Sequence, residues 1–242
     1  PRAAGSRRRS LRTMPQVITK DELVASLPPV ATIMDAMKAA YVQYSDGKAW
    51  VAPVSHVLIE GQGDACIKAG YVKHQSSWVV KVAGGFPGNA ALGLSNSQGC
   101  MLLFSQTTGE LETILLDNGH LTDVRTAAAA CLCISKFAPP KAASLSILGT
   151  GVVAKLVAEY AVGLGFGGII VSSRSTESAE KFAAFAKSKG WAKVSIESYA
   201  ASTAIDTPCG IHVRTISSRH SEPFCRSVGT STYFSVWIRN LS

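Results

Sequence analysis

Two glycines one residue apart, Gly149 and Gly151, sit between a short apolar run, ASLSIL at 143–148, and KLVAEYAVGLGF, whose Leu156, Val157, Tyr160, Ala161 and Leu164 recur at helical steps. With Thr150 between them and Val152, Val153 and the small Ala154 following, the pattern is a strand, a Gly-x-Gly-x-x-Ala turn and a helix. Such a turn cradles a dinucleotide pyrophosphate. The first glycine permits the tight turn, the second lets the backbone approach the phosphates, and the small third residue lets helix and strand pack closely. The bland reading is a glycine turn that binds nothing. A second strand, GGIIVSSRS, a helix, TESAEKFAAFAKSKG, and a third strand, AKVSIES, follow, which gives β-α-β-α-β.

The end of the second strand reports on the cofactor. About 20 residues beyond the glycines an NAD-binding chain carries a carboxylate for the ribose 2′-hydroxyl. Here stand Ser173, Arg174 and Ser175. A guanidinium flanked by hydroxyls suits a 2′-phosphate through paired charge-assisted bonds, so NADP(H) is expected over NAD(H). The alternative is that Arg174 is a solvated surface residue.

Lys68, Lys73, Lys81 and Arg125 are the notable cations of the first half. Lys81 lies between Val80 and Val82 in an apolar strand, an odd place for a solvated lysine. Arg125 falls in the first turns of a helix, where its charge opposes the dipole and calls for an anion. Brought together, the two would bind a carboxylate, with Lys81 beside a reacting amine or imine. They read equally well as two surface cations.

The elements that must position these residues follow from periodicity. Residues 19–46 have helical spacing through Ile33, Met37, Ala40, Tyr41 and Tyr44, stopped by Asp46-Gly47. Then come VSHVLIE, ACIKAGYV, WVVKVAGGF, CMLLFSQ and ETILLD, strand-like runs with TTGE at 107–110 as a hairpin turn. An Ala-dense helix from Leu121, with Thr122 as the expected cap and Pro139-Pro140 as the stop, connects this α+β unit to the Gly-x-Gly unit.

Composition closes off other classes. At 242 residues, 47% hydrophobic and 17% charged, the chain can bury one or two cores, which excludes disorder, collagen and small disulfide scaffolds. The formal charge of +8 resides mostly at the ends. Residues 1–13 hold five Arg and no acid, and 205–242 hold four Arg against Asp206 and Glu222, while 14–204 have 15 Lys and Arg against 14 Asp and Glu. Basicity is therefore no argument for a nucleic-acid partner. No apolar run is long enough to span a membrane. The six Cys and five His lack metal-ligand spacing, so no metal is expected, and the Cys read as small buried side chains in a reducing compartment.

KVAGGFPGN at 81–89, MLLFSQTTGELETILLDNGHLTDVRTAAAA at 101–130 and ILGTGVVA at 147–154 resemble the ornithine cyclodeaminase/mu-crystallin family of nicotinamide-dependent enzymes, over about 20–200. The resemblance implies a homodimer with an α+β substrate-binding and dimerisation domain followed by a Rossmann domain. It makes Lys81 the substrate-contacting lysine with a catalytic role, and Arg125 the arginine beside substrate carboxylate and cofactor, with Thr126 next to it. Gly149, Thr150, Gly151, Val152 and Val153 become the pyrophosphate loop. Asn96 is implied to reach the cofactor from the first domain, and Ser173-Arg174-Ser175 corresponds to the triplet of NADPH-using members.

Two departures qualify the resemblance. Many members carry an arginine after a Pro-Val pair, where this chain has Pro53-Val54-Ser55. After about Ala204 the text is rich in Arg, Ser and Thr, without helical period, where the family continues its sheet and supplies a catalytic aspartate. Asp206 and Asp117 are the nearest carboxylates, and neither is assigned. The expected organisation is 1–13, a basic leader or non-native extension; 14–140, the α+β domain with its connector helix; 141–204, a partial Rossmann domain; and 205–242, an atypical tail, frameshifted or divergent. The expected function is NADPH-dependent reduction of small imino acids (ketimines). Ornithine cyclodeamination and non-catalytic NADPH binding stand as alternatives. The expected compartment is cytoplasmic, or an organelle if residues 1–13 are a leader remnant.

Overall fold

The computed structural model describes residues 14–137, 144–173, 175–191, 194–198, 211–216 and 233–238. The chain opens with β1 (Gln16–Thr19) and two helices, α1 (Lys20–Ser26) and α2 (Val30–Ser45). The single helical segment expected over 19–46 is therefore two. Pro28 and Pro29 separate them, since a proline lacks the N–H and pushes its predecessor out of helical backbone. Thr19 starts α1 with a capping box closed by Glu22.

Six further strands, β2 (Ala49–Val51), β3 (Ser55–Ile59), β4 (Gly63–Val72), β5 (Ser77–Gly85), β6 (Ser97–Ser105) and β7 (Leu111–Leu116), build the first sheet. Its order is β1-β7-β6-β5-β4-β2, with β3 also on β4, antiparallel except for the parallel β1–β7 pair. The expected strands are all present. β1 and β2, four and three residues long, carry too little pattern to be read in advance.

The cross-strand register sorts side chains onto two faces, because directly opposed residues point the same way. His56, Asp64, Cys66, Lys68, Lys81, Met101 and Leu115 fall on one face, through the pairs His56–Cys66, Lys68–Lys81, Lys81–Met101 and Met101–Leu115. Trp50, Val57, Ile67, Tyr71, Trp78 and Phe104 fall on the other. There Trp78 and Phe104 stack with ring centroids 4.4 Å apart.

α3 (His120–Phe137) links this sheet to the second unit: β8 (Ser144–Leu148), α4 (Val152–Gly163), β9 (Gly168–Ser173), α5 (Thr176–Ser188) and β10 (Val194–Ser198). Its small side chains let it pack closely, and Ala127, Ala128, Cys131 and Ile134 are fully buried in one core with Met34 of α2, Val157 and Ala158 of α4, and Leu145 and Ile147 of β8. Burial pushes the Cys131 thiol up to about 12, as befits a packing residue.

The sheet of this unit does not stop at β-α-β-α-β. Its order is β10-β9-β8-β11-β12, with β11 (Ile211–Ile216) parallel to β8 and β12 (Tyr233–Ile238) antiparallel to β11. IHVRTI and YFSVWI are dominated by β-branched and aromatic residues, a strand signal obscured by the polar text around them. No described helix is long and apolar enough to cross a membrane.

Candidate functional site

The turn from β7 into α3 sets the site. Asn118 (φ +48°) and Gly119 (φ +80°) are both left-handed, and the Asp117 carbonyl accepts the His120 N–H at 2.9 Å, which is a type I′ turn. A Cβ on Gly119 would lie 2.5 Å from Ser97 Oγ, so only glycine fits. Asp117, 1% exposed, accepts the Leu121 N–H on Oδ2 at 2.9 Å and so caps α3. Thr122, the expected cap, lies within the first turn instead, because the helix starts earlier than its polar residues suggest.

This turn brings Arg125 over the polar face of the first sheet. Lys81 and Lys68 stand opposite one another there, and burial, with Arg125 and Lys68 adding to it, lowers the Lys81 ammonium to about 8. Asp117 and Cys66 pull the other way. Burial also weighs against the Arg125 guanidinium, which Tyr41 and Asp123 support. Asp123 is raised to about 6, first by burial and then by Asp117. The His120 imidazole is lowered by burial and by Lys20, and its buried Nε2 has no hydrogen-bond partner. A lysine that loses its proton near neutrality, beside a fixed arginine, can bind an anion and exchange a proton.

Of the residues expected at the site, Lys81 and Arg125 are thus together. Thr126 is buried, and its hydroxyl donates to the Thr122 carbonyl. Asn96 is exposed in the bend before β6, where its carbonyl accepts the Phe86 N–H at 2.8 Å. Ser55 pairs with Ile67 and so lies on the face away from Lys81; His56, held to Asp64 at 2.9 Å, occupies the Lys81 face. Sequence reasoning missed Asp123, His120 and the opposition of Lys68 to Lys81. Asp117 was noticed but left unassigned, and Asp206 lies outside the described residues.

The Gly149–Val153 turn sits at the carboxyl end of β8. Gly149 has φ +109° and donates its N–H to the Ser172 carbonyl at 2.8 Å, which ties the turn to β9. Gly151 is the N-cap of α4 and has no side chain to occupy the first-turn N–H groups. Val152 is exposed while Val153 and Ala154 are buried against the core. Open amides at a helix start, bare backbone before them and close packing behind fit a pyrophosphate. At the end of β9, Ser173 Oγ accepts the Ser175 N–H and Ser175 Oγ caps α5 through the Ser178 N–H, both at 3.3 Å. Arg174 lies outside the described residues. Among the described residues no three His, Cys, Asp or Glu side chains gather as a metal ion would require.

The profile of the ornithine cyclodeaminase/mu-crystallin family matches residues 14–219. The chain belongs to this family. A putative dehydrogenase of Rhizobium meliloti is 32% identical over 152 residues, 61% of this chain and 45% of the relative. The iminosuccinate reductase of Paracoccus denitrificans is 31% identical over 137 residues, 56% of this chain and 42% of its own. Its crystal structure with NAD+ superposes with a TM-score of 0.64 at 25% identity, covering 76% of this chain and 56% of that one. The pyrroline-2-carboxylate reductase of Thermococcus litoralis, solved with NADH and L-proline, shares the fold with a TM-score of 0.70 at 23% identity, covering 78% of this chain and 58% of that one. The chain spans about half the length of the curated relatives it matches. The chain has the α/β fold of these relatives.

Proposed function

We propose that the chain reduces the C=N bond of small imino acids with NADPH. The observation that carries this reading is the proximity of Lys81, lowered to about 8, on one sheet face to the half-buried Arg125 of α3. Arg125 binds the substrate carboxylate by its planar fork, and this fixes the imine nitrogen toward Lys81. A nicotinamide dinucleotide held at the Gly149–Val153 turn would supply hydride for the imine carbon. Lys81 donates its proton to the nitrogen, so C=N becomes CH–NH, and the lysine regains a proton from solvent. Gly149 to Val153 hold the pyrophosphate. The sequence Ser173-Arg174-Ser175, which holds no carboxylate, favours the 2′-phosphate of NADPH over the free hydroxyl of NADH.

The apolar face of the first sheet supports assembly as a homodimer. Trp50, Val57, Ile59, Ile67 and Tyr71 are all exposed on it, apolar side chains that a self-complementary interface would cover.

The test is bulk consumption of reduced cofactor with pyrroline- or piperideine-2-carboxylate, run with NADPH and with NADH. Oxidation of NADPH in preference to NADH is expected. Turnover of ornithine without net cofactor change would overturn the reading in favour of cyclodeamination. NADPH binding without turnover of any imine would overturn it in favour of a ligand-binding role.

A further inference from the structure

Two acids stand at the start of α3, and one of them suffices to cap it. Asp117, 1% exposed, accepts the Leu121 N–H and serves the helix end. The Asp123 carboxyl joins no ion pair among the described residues. Nor is it turned to solvent as a helix-start acid ordinarily is. Steps of three and four residues place it on the stripe of α3 that runs through Thr126, Ala127, Ala130 and Ile134, all buried, and Asp123 itself is half-buried. A carboxyl set there, beside a second carboxyl, opposes folding, and such placements gather where the group is used. The groups within electrostatic reach of Asp123 are Asp117, Lys20 of α1, Arg125 of α3 and Lys81 of β5. Behind them, Tyr41 of α2 interacts with Arg125, and His120 with Lys20 and Asp117. Of these, Lys81 is the one that gives up a proton in each turnover of the reaction proposed above.

We infer that Asp123 returns that proton, taking it from solvent and passing it through a bridging water to the Lys81 amine. The step balances without a co-reactant. Once the imine is reduced Lys81 is a neutral amine; the Asp123 carboxyl gives up a proton, leaving an ammonium and a carboxylate, and the carboxylate takes its next proton from solvent. Asp123 is raised to about 6, first by burial and then by Asp117, while burial, with Arg125 adding to it, lowers Lys81 only to about 8, so transfer from acid to amine is favourable. Asp123 touches neither substrate nor cofactor in this scheme and acts through Lys81. The inference rests on the imine-reducing reading for the event that empties Lys81, but the coupling of the two groups does not.

The test follows both on the full chain. Stopped-flow oxidation of NADPH with pyrroline-2-carboxylate is recorded for wild type, Asp123→Asn and Asp123→Glu. At about pH 7 Lys81 begins protonated, so the first turnover needs no relay. Asp123→Asn is expected to oxidise one NADPH per chain at the wild-type rate and then to slow by about 10- to 100-fold. Imidazole in the buffer should speed that slow phase and leave the first turnover untouched, and Asp123→Glu should restore most of the steady rate. Steady turnover of Asp123→Asn at the wild-type rate would overturn the inference. So would a slowed first turnover with a raised KM and no rescue by imidazole, which would make Asp123 a brace for Arg125. Carboxyl carbon-13 NMR reads the coupling without turnover. The Asp123 midpoint is expected to rise in Lys81→Met, where the lysine's charge no longer holds it down, and an unmoved midpoint would overturn the relay. A midpoint that rises in a chain reducing no imine would support the Asp123–Lys81 proton couple and sink the imine-reducing reading instead.

Discussion

The two sheets of this chain treat the same kinds of side chain in opposite ways. In the unit of α3 to β10, Phe182, Ile134, Leu145, Ile147, Ile169, Val157 and Val171 are all fully buried. In the unit of β1 to β7, Met34 and Cys66 are the buried apolar residues among those described, while Trp50, Tyr71, Val57, Ile59, Ile67 and Leu116 are exposed. The second unit closes on a core that also takes in Met34 of α2 from the first. The first unit puts its charged side chains on one face of its sheet and apolar ones on the other. The difference teaches that the first sheet leaves on one face the kind of apolar side chain that the second buries.

Three perturbations probe that contrast. Phe182→Ala removes a fully buried ring, so denaturant unfolding should show a loss of about 3–5 kcal/mol that does not depend on protein concentration. Trp50→Glu removes nothing buried within one chain. If a second copy covers the face, sedimentation should show dimer weakened by about 2 kcal/mol or more, the scale of a central aromatic anchor. An unchanged oligomeric state, together with unchanged stability, would break the comparison. Gly119→Ala sits at the junction of the two units, and its positive φ and the approach to Ser97 should cost about 1–3 kcal/mol and loosen Arg125. Thermal melting and substrate affinity would register the two effects separately.

The smallest effect expected is electrostatic. Lys81 is lowered from 10.5 to about 8, so between those values the unfolded chain binds more protons than the folded one, and stability rises with pH across that window. Asp123 is raised from 3.8 to about 6, so there the folded chain binds more protons, and stability falls as pH rises across the window. Unfolding midpoints against pH should lose the first slope in Lys81→Met and the second in Asp123→Asn. Slopes retained in both variants would place the titrations elsewhere.

The nucleotide unit was the more legible of the two for a physical reason. Its strand, glycine turn and helix are contiguous, so local pattern alone locates Gly149 to Val153. Lys81 stood out because a lysine between valines is anomalous, and Arg125 because it opposes a helix dipole. Lys68 stood out as a cation, but its opposition to Lys81 did not, since that comes from a cross-strand register, and register depends on turns far along the chain. Asp117 drew no assignment and Asp123 read only as a helix-start acid, since it takes the left-handed pair Asn118-Gly119 to bring them within electrostatic reach of Lys81. β11 was missed because a parallel partner for β8 leaves no mark in neighbouring text.

The most direct test of the account is NADPH oxidation by the purified chain on pyrroline-2-carboxylate, wild type against Lys81→Met, with NADPH affinity measured alongside. The account predicts turnover by wild type and a loss of about 100- to 10,000-fold in kcat for Lys81→Met at unchanged NADPH affinity. A Lys81→Met chain that oxidises NADPH at the wild-type rate would contradict it.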